Sequence, residues 1–215
     1  MFILLHGCSS SADGIVTEEP TESGLFADQI DFAPEFTLVD QFGADFSLTE
    51  KRGENIILFF GYTYCPDICP TVLSKLVQLI KDERYSENLS VIFISVDYEM
   101  DTGDRIEEYL RRFDKSIIGL TGTDEQLKVV KSDYGAYSSN PSNSEGESQG
   151  VRRLTHSDYI YLIDQEGFLV GYYNQDTSLE ILRSDLDILR SRWIDVNAIR
   201  DHNMVSKKNV EVFVW

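Results

Sequence analysis

An unbroken apolar run, Ile56-Ile57-Leu58-Phe59-Phe60, leads through Gly61-Tyr62-Thr63-Tyr64 into Cys65-Pro66-Asp67-Ile68-Cys69-Pro70. A short continuous run rich in β-branched and aromatic residues reads as a strand buried on both faces. Beyond the cysteines, Val72, Leu73, Leu76, Val77 and Ile80 recur at helical spacing, which predicts a helix from Pro66 onward. Pro66 suits a first turn, where its missing N–H costs nothing. Pro70 is expected to kink or delay the regular helix. The chain therefore has to fold so that a central strand hands over to a helix, with two thiols at the junction.

Cys65 and Cys69 stand at i and i+4. On a helix such side chains share a face, with Cβ atoms about 6 Å apart. That spacing permits a disulfide after small adjustment, and equally two thiolates on one soft ion. The unpaired N–H groups and positive dipole end of a helix N-terminus are expected to lower the pKa of at least the first thiol. Thiolate is both nucleophile and ligand, so either chemistry gains. A pair of inert buried thiols or a plain structural disulfide is the bland alternative, and the flanking prolines at a strand–helix junction argue against it.

The remaining pattern is α/β. Phe36-Thr37-Leu38-Val39 and Ala44-Asp45-Phe46-Ser47-Leu48 flank a loop with Gly43 and read as a β-hairpin. Val91-Ile92-Phe93-Ile94-Ser95-Val96 is a second buried strand, and Ile106, Tyr109, Leu110 and Phe113 mark a helix. Thr123 with Gln126 forms a capping box for a third helix, which Gly135 can end. A second hairpin pairs Tyr159-Ile160-Tyr161-Leu162-Ile163 with Phe168-Leu169-Val170-Gly171-Tyr172. Leu179, Leu182, Leu186, Leu189 and Trp193 follow on a long helix, opened by Thr177 with Glu180. Strands alternating with helices and closing on an antiparallel hairpin imply a mixed sheet covered on both faces. A site at the end of the first central strand would lie at the carboxyl edge, where open α/β sheets place ligands.

Outside this body, residues 138 to 150 read as a polar loop or insertion. Residues 9 to about 31 are acidic and carry Pro20, Gly and Ser, as a flexible linker does. The expected organisation is a start and linker over 1–31, one domain over 32–193 and an unassigned extension over 194–215. Leu5-His6-Gly7-Cys8 resembles the lipobox of bacterial lipoproteins, in which the Cys becomes the lipidated first residue. The apolar run before it is shorter than a signal h-region. Lipidation at Cys8 would tether the protein in an oxidising compartment outside the cytoplasm.

Formal net charge is -18, from 37 acidic against 19 basic residues. Such a surface repels a polyanion, so nucleic acid is not an expected partner. The acidity suits a cationic partner, or simply solubility. The chain holds three Cys and three His, namely His6, His156 and His202. An iron–sulfur cluster or a structural zinc site normally takes four ligands. Two thiolates with one imidazole make a three-coordinate site that copper tolerates, and His156, just before the late hairpin, is the candidate third ligand. Asp67, between the two cysteines, is expected to face solvent.

Phe60-Gly61-Tyr62-Thr63-Tyr64-Cys65-Pro66-Asp67-Ile68-Cys69-Pro70-Thr71 resembles the signature of the Sco/SenC family. So do Ile94-Ser95-Val96-Asp97 with Asp101-Thr102, the Gly119-Leu120-Thr121-Gly122 turn, and His156 before Tyr161-Leu162-Ile163-Asp164. Tyr98 departs from the Pro usual there. The resemblance, from Phe36 to Trp193, implies a thioredoxin-like fold that binds copper, Cu(I) or Cu(II), through Cys65, Cys69 and His156. It implies a metallochaperone for the binuclear copper site of cytochrome c oxidase. The partner would be the copper-bearing oxidase subunit or another copper protein. The place would be the extracytoplasmic side of a bacterial cytoplasmic membrane, with a lipid anchor.

Two functions remain open beside each other. In the first, copper passes from the three ligands to a partner by ligand exchange. In the second, the chain is a thiol–disulfide oxidoreductase, Cys65 attacking a partner disulfide and Cys69 resolving it. Thioredoxin-like oxidoreductases usually space their cysteines by two residues and place a cis-Pro before the late strand. Here three residues intervene, and the prolines are at 20, 34, 66, 70 and 141, with Thr155-His156 in that place. Both points favour metal. A thioredoxin-like binding module without chemistry would require the Cys pair to be inert.

Overall fold

The computed structural model describes residues 31–139, 155–156 and 159–192, with Ser139, Thr155 and His156 described as backbone. Strands β1 (Asp31–Phe32), β2 (Thr37–Asp40), β3 (Asp45–Ser47) and β4 (Asn55–Gly61) precede helix α1 (Ile68–Ile80). Then come β5 (Leu89–Ser95), α2 (Gly103–Leu110), β6 (Ile118–Thr121) and α3 (Asp124–Asp133). Strands β7 (Ser138–Ser139), β8 (Thr155–His156), β9 (Ile160–Ile163) and β10 (Phe168–Tyr173) follow, and a last helix, α4, whose described residues are 179–192.

Eight strands form one mixed sheet in the order β1-β10-β9-β4-β5-β6-β2-β3. This is the helix-flanked mixed sheet expected of a thioredoxin-like fold. All seven residues of β4 are buried. Successive strand side chains point to opposite faces, so burial at every position means both faces are covered. The cover is apolar: Val72, Leu73, Leu76 and Leu79 of α1, Ile106 and Leu110 of α2, Leu127 and Val130 of α3, and Leu182 and Leu186 of α4. Phe59, Phe60 and Phe93 at the centre are wholly buried, each worth about 1.5–3 kcal/mol over exposure. β4 runs parallel to β5, from Asn55↔Leu89 to Gly61↔Ser95, and antiparallel to β9, from Ile56↔Ile163 to Phe59↔Ile160.

Both expected hairpins form. The N-terminal one is drawn into the sheet, because β2 pairs with β6 as well as with β3. Strand β6 itself carries no strand expectation from the sequence. It is four residues long with Gly119 inside, and an added Cβ there would come 2.2 Å from Ile106. Strand β1 also forms at the end of the expected linker, on the edge of β10.

Helix α1 begins at Ile68 rather than Pro66, with Asp67 as N-cap. Pro70 is then the third helical residue, a position that needs no N–H donor because it has no intrahelical acceptor, so the proline leaves the helix intact. The capping box at Thr123 is present, with Gln126 N–H donating to Thr123 Oγ1 at 3.2 Å and Thr123 N–H donating to Gln126 Oε1 at 2.9 Å. The cap of α4 shifts by one residue: Ile181 N–H donates to Ser178 Oγ at 3.4 Å, whereas Thr177 turns its hydroxyl to Asn174. Within the expected polar loop, Ser138–Ser139 pairs antiparallel with Thr155–His156. Among the described residues no helix is long and apolar enough to cross a membrane. Cys8, His6 and His202, the start and linker up to residue 30, and the 194–215 extension lie outside the described residues.

Candidate metal centre

The connection from β4 to α1 carries the thiols. Cys65 N–H donates to Tyr62 C=O at 3.2 Å, closing a tight turn. Cys65 thus lies just ahead of the helix and Cys69 in its first turn. Asp67 makes no side-chain cap. Instead the Cys69 N–H, one of the donors a helix start leaves unpaired, donates to Cys65 Sγ at 3.3 Å. A cysteine sulfur therefore does the work of a capping oxygen. Cys65 and Cys69 are not joined by a disulfide. Cys69 is completely buried and Cys65 is 9 % exposed, so the pair has an inner and an outer member. Asp67 faces solvent, as its position suggests.

The Cys69 thiol is pushed far above its ordinary pKa, first by its hydrogen bond to Cys65, then by burial, with the charges of Cys65 and Asp101 adding to the effect. The helix N-terminus does not prevail at this residue. Desolvation disfavours the charged form, and the neighbouring sulfur acts in the same direction.

Gly61, the last residue of β4, lets this sulfur come close. A Cβ on Gly61 would stand 3.0 Å from Cys69 Sγ and 2.6 Å from the Phe93 ring. Phe93 in turn packs against Tyr109, with centroids 6.1 Å apart. The Tyr109 hydroxyl is buried with no hydrogen-bond partner among the described residues. Its pKa is raised by burial first, then by the neighbouring Cys69 and Cys65. On the other side of the loop lies Asp101, 1 % exposed. Its carboxylate accepts from Thr63 N–H at 2.9 Å, from Thr63 Oγ1 at 2.6 Å and from Ser95 Oγ at 2.6 Å.

Gly61, Thr63, Asp101 and Tyr109 were not singled out as site residues from the sequence. Tyr109 reads there as one apolar position of a helix. Asp101 reads as part of a motif, and its bond to a residue 38 positions away has no local signature.

His156 is placed by its backbone. It pairs with Ser138 in the two-stranded ladder, four residues before Ile160, which pairs with Phe59 near the end of β4. The start of β9 therefore lies beside the end of β4, at the same end of the sheet. Among the described residues no three His, Cys, Asp or Glu side chains converge as a metal cage. The described side chains thus contribute a two-sulfur donor set. Two soft, buried thiols suit a soft ion such as Cu(I), and also suit disulfide chemistry.

Comparison with known proteins bears on the choice. The SCO1/SenC family profile matches residues 26–189. The SCO2-like protein of Rickettsia felis is 31% identical over 155 residues, covering 72% of this chain and 75% of that protein. The copper-bound structure of Arabidopsis thaliana ScoI superposes with a TM-score of 0.66 at 28% identity, covering 75% of this chain and 99% of that one. Yeast Sco1 with copper bound gives a TM-score of 0.61 at 31% identity, covering 73% and 88%.

Proposed function

The chain belongs to the SCO1/SenC family, and on that premise we propose that it is a copper metallochaperone serving assembly of the binuclear copper site of cytochrome c oxidase. Copper is its cargo. Cys65 and Cys69 supply two thiolates and His156 the third ligand. The observation that carries this reading is the buried cysteine pair at the start of α1, with Cys69 N–H bonded to Cys65 Sγ at 3.3 Å. Two sulfurs brought side by side at the junction of a buried strand and a helix form a soft donor set. The copper-bound relatives support the choice of metal.

The partner in this reading is the copper-bearing subunit of the oxidase or another copper protein, which takes the ion by ligand exchange. Lipidation at Cys8 would hold the chain on the extracytoplasmic side of a bacterial cytoplasmic membrane, above its partner.

A second reading rests on the unequal exposure of the two thiols. Cys65, the outer one, is placed to attack a partner disulfide, expelling one partner thiolate and leaving a mixed disulfide. Cys69 then attacks Cys65 Sγ and releases the second partner thiol. The two readings join if partner thiols must be reduced before copper enters.

The test is a copper titration of the reduced protein, followed by absorption in the thiolate-to-copper charge-transfer region. A band saturating at about one copper per chain is expected for two thiolates on one soft ion. A protein that reduces partner disulfides yet shows no such band would leave the oxidoreductase reading in its place.

A further inference from the structure

The loop that carries Cys65 leaves the sheet at Gly61 and enters the helix at Ile68. Among its ties between these points are the Cys65–Tyr62 turn, the bonds from Thr71 to Asp67 C=O, and the bond from Thr63 N–H to Asp101. Asp101 is anchored independently of this loop. Its N–H donates to Asp97 C=O at 2.9 Å, and its C=O accepts from Thr121 Oγ1 at 3.4 Å. It immediately precedes Thr102, the N-cap of α2. One carboxylate oxygen accepts from both Thr63 N–H and Ser95 Oγ–H, and the other from Thr63 Oγ1–H. Ser95 ends β5, opposite Gly61 in the parallel ladder. A single buried carboxylate thus fastens the thiol loop to the neighbouring strand and to the start of the next helix.

We propose that Asp101 is a positioning residue for the thiol pair, acting through Thr63 to hold Cys65 where its sulfur caps Cys69 N–H. It does not touch either sulfur in this role. The clamp is closed in the dithiol form, so it stabilises that form relative to one in which Cys65 must swing to bond Cys69. The inference rests on the reading of Cys65 and Cys69 as the working centre, but not on the metal.

Two substitutions separate the clamp from its charge. In Asp101→Asn the amide oxygen can take the position that accepts from Thr63 N–H and Ser95 Oγ–H. The amide nitrogen then donates to Thr63 Oγ1, whose hydroxyl turns to accept. The fork survives without its charge. In Asp101→Leu the fork is lost. Thr63→Val is the milder break, since it keeps shape and backbone N–H and removes one bond at a half-buried site.

The experiment equilibrates each metal-free protein with mixtures of reduced and oxidised dithiothreitol. Cys65 and Cys69 together give up two electrons and two protons to the oxidised reagent as their disulfide forms. Asp101→Leu is expected to shift the equilibrium about tenfold toward the disulfide, which is about 30 mV for a two-electron couple, and Thr63→Val about fourfold in the same direction, or about 18 mV. Asp101→Asn is expected to stay within about twofold, or about 10 mV, of the parent. A parent-like equilibrium in Thr63→Val would overturn the proposal, as would a shift toward the dithiol or an Asp101→Asn shift as large as that of Asp101→Leu. Should Asp101→Leu fail to fold, Thr63→Val and Asp101→Asn decide between them. Copper plays no part in this readout, so failure of the parent to bind copper would sink the metallochaperone reading alone.

Discussion

Cys65 and Cys69 sit where a seven-residue strand meets a thirteen-residue helix, whereas His156 sits on a ladder with two residues in each strand. The first region is welded to the core. Its strand is buried at every position, and its helix turns Val72, Leu73 and Leu76 into the same cluster. The second is a separate two-stranded ladder, tied to α3 where Lys131 Nζ donates to Ser138 Oγ at 2.6 Å. Moving Cys69 with its helix means disturbing a well-packed part of the molecule, where opening approaches the cost of global unfolding, while Cys65 lies on the loop just ahead of that helix. Parting a two-residue ladder breaks few bonds. In the proposed site the two sulfurs would meet copper side by side, with His156 as the third ligand. A carrier that must also let go gains from having one ligand on a separable arm.

The most severe way to break this comparison is to remove a thiol. Cys65→Ser or Cys69→Ser is expected to lower copper affinity by more than the 10–100-fold typical of losing a supporting residue around a metal. Competition with a chelator measures it, and parent-like affinity in either variant would take that sulfur out of the site. Oxidising the pair should do the same reversibly, since a disulfide offers no thiolate.

His156→Ala is expected to weaken Cu(II) binding while leaving the Cys65–Cys69 disulfide able to form and stability within about 0.5 kcal/mol. A large loss of stability would mean that the ladder supports the fold more than its length suggests.

Gly61→Ala probes the packing of the thiol arm. The added Cβ meets a ring carbon of Phe93 at 2.6 Å and Cys69 Sγ at 3.0 Å, so a loss of about 1–3 kcal/mol is expected in denaturant melts. An unchanged melt would show that the arm yields easily, against the contrast drawn here. The smallest effect is expected from Tyr109→Phe. Its hydroxyl is buried without a hydrogen bond among the described residues, so removal should be neutral or stabilising by about 1 kcal/mol. A loss of 2 kcal/mol or more, by the same scale, would point to a partner for that hydroxyl.

Much of the thiol arm was legible in the sequence because its determinants are local. A buried strand announces itself as Ile56 to Phe60, and Thr123 with Gln126 announces a helix start. Where neighbouring residues compete for one local role, the reading slipped. Ser178 caps α4 beside the expected Thr177, and α1 starts at Ile68, with Pro70 tolerated in its first turn. Strand β6 was hidden by its brevity and by Gly119, which makes room for Ile106 and Leu110 instead of packing a side chain of its own. The raised pKa of the Cys69 thiol has no local signature, because burial and the second sulfur are tertiary facts that a dipole argument omits. The bonds from Thr63 to Asp101 span 38 residues and leave no periodic trace. The imidazole arm was legible only through its motif, since a lone His before a hairpin carries no pattern of its own.

The central claim is that two sulfurs from one rigid junction and one nitrogen from a separate ladder hold a single copper. Copper-edge X-ray absorption on the singly loaded protein and on its His156→Ala variant tests this most directly. The expected spectrum has two sulfur scatterers and one imidazole in the parent, with the sulfurs kept and the imidazole gone in the variant. Identical spectra from the two proteins, or a parent spectrum with fewer than two sulfurs, would contradict it.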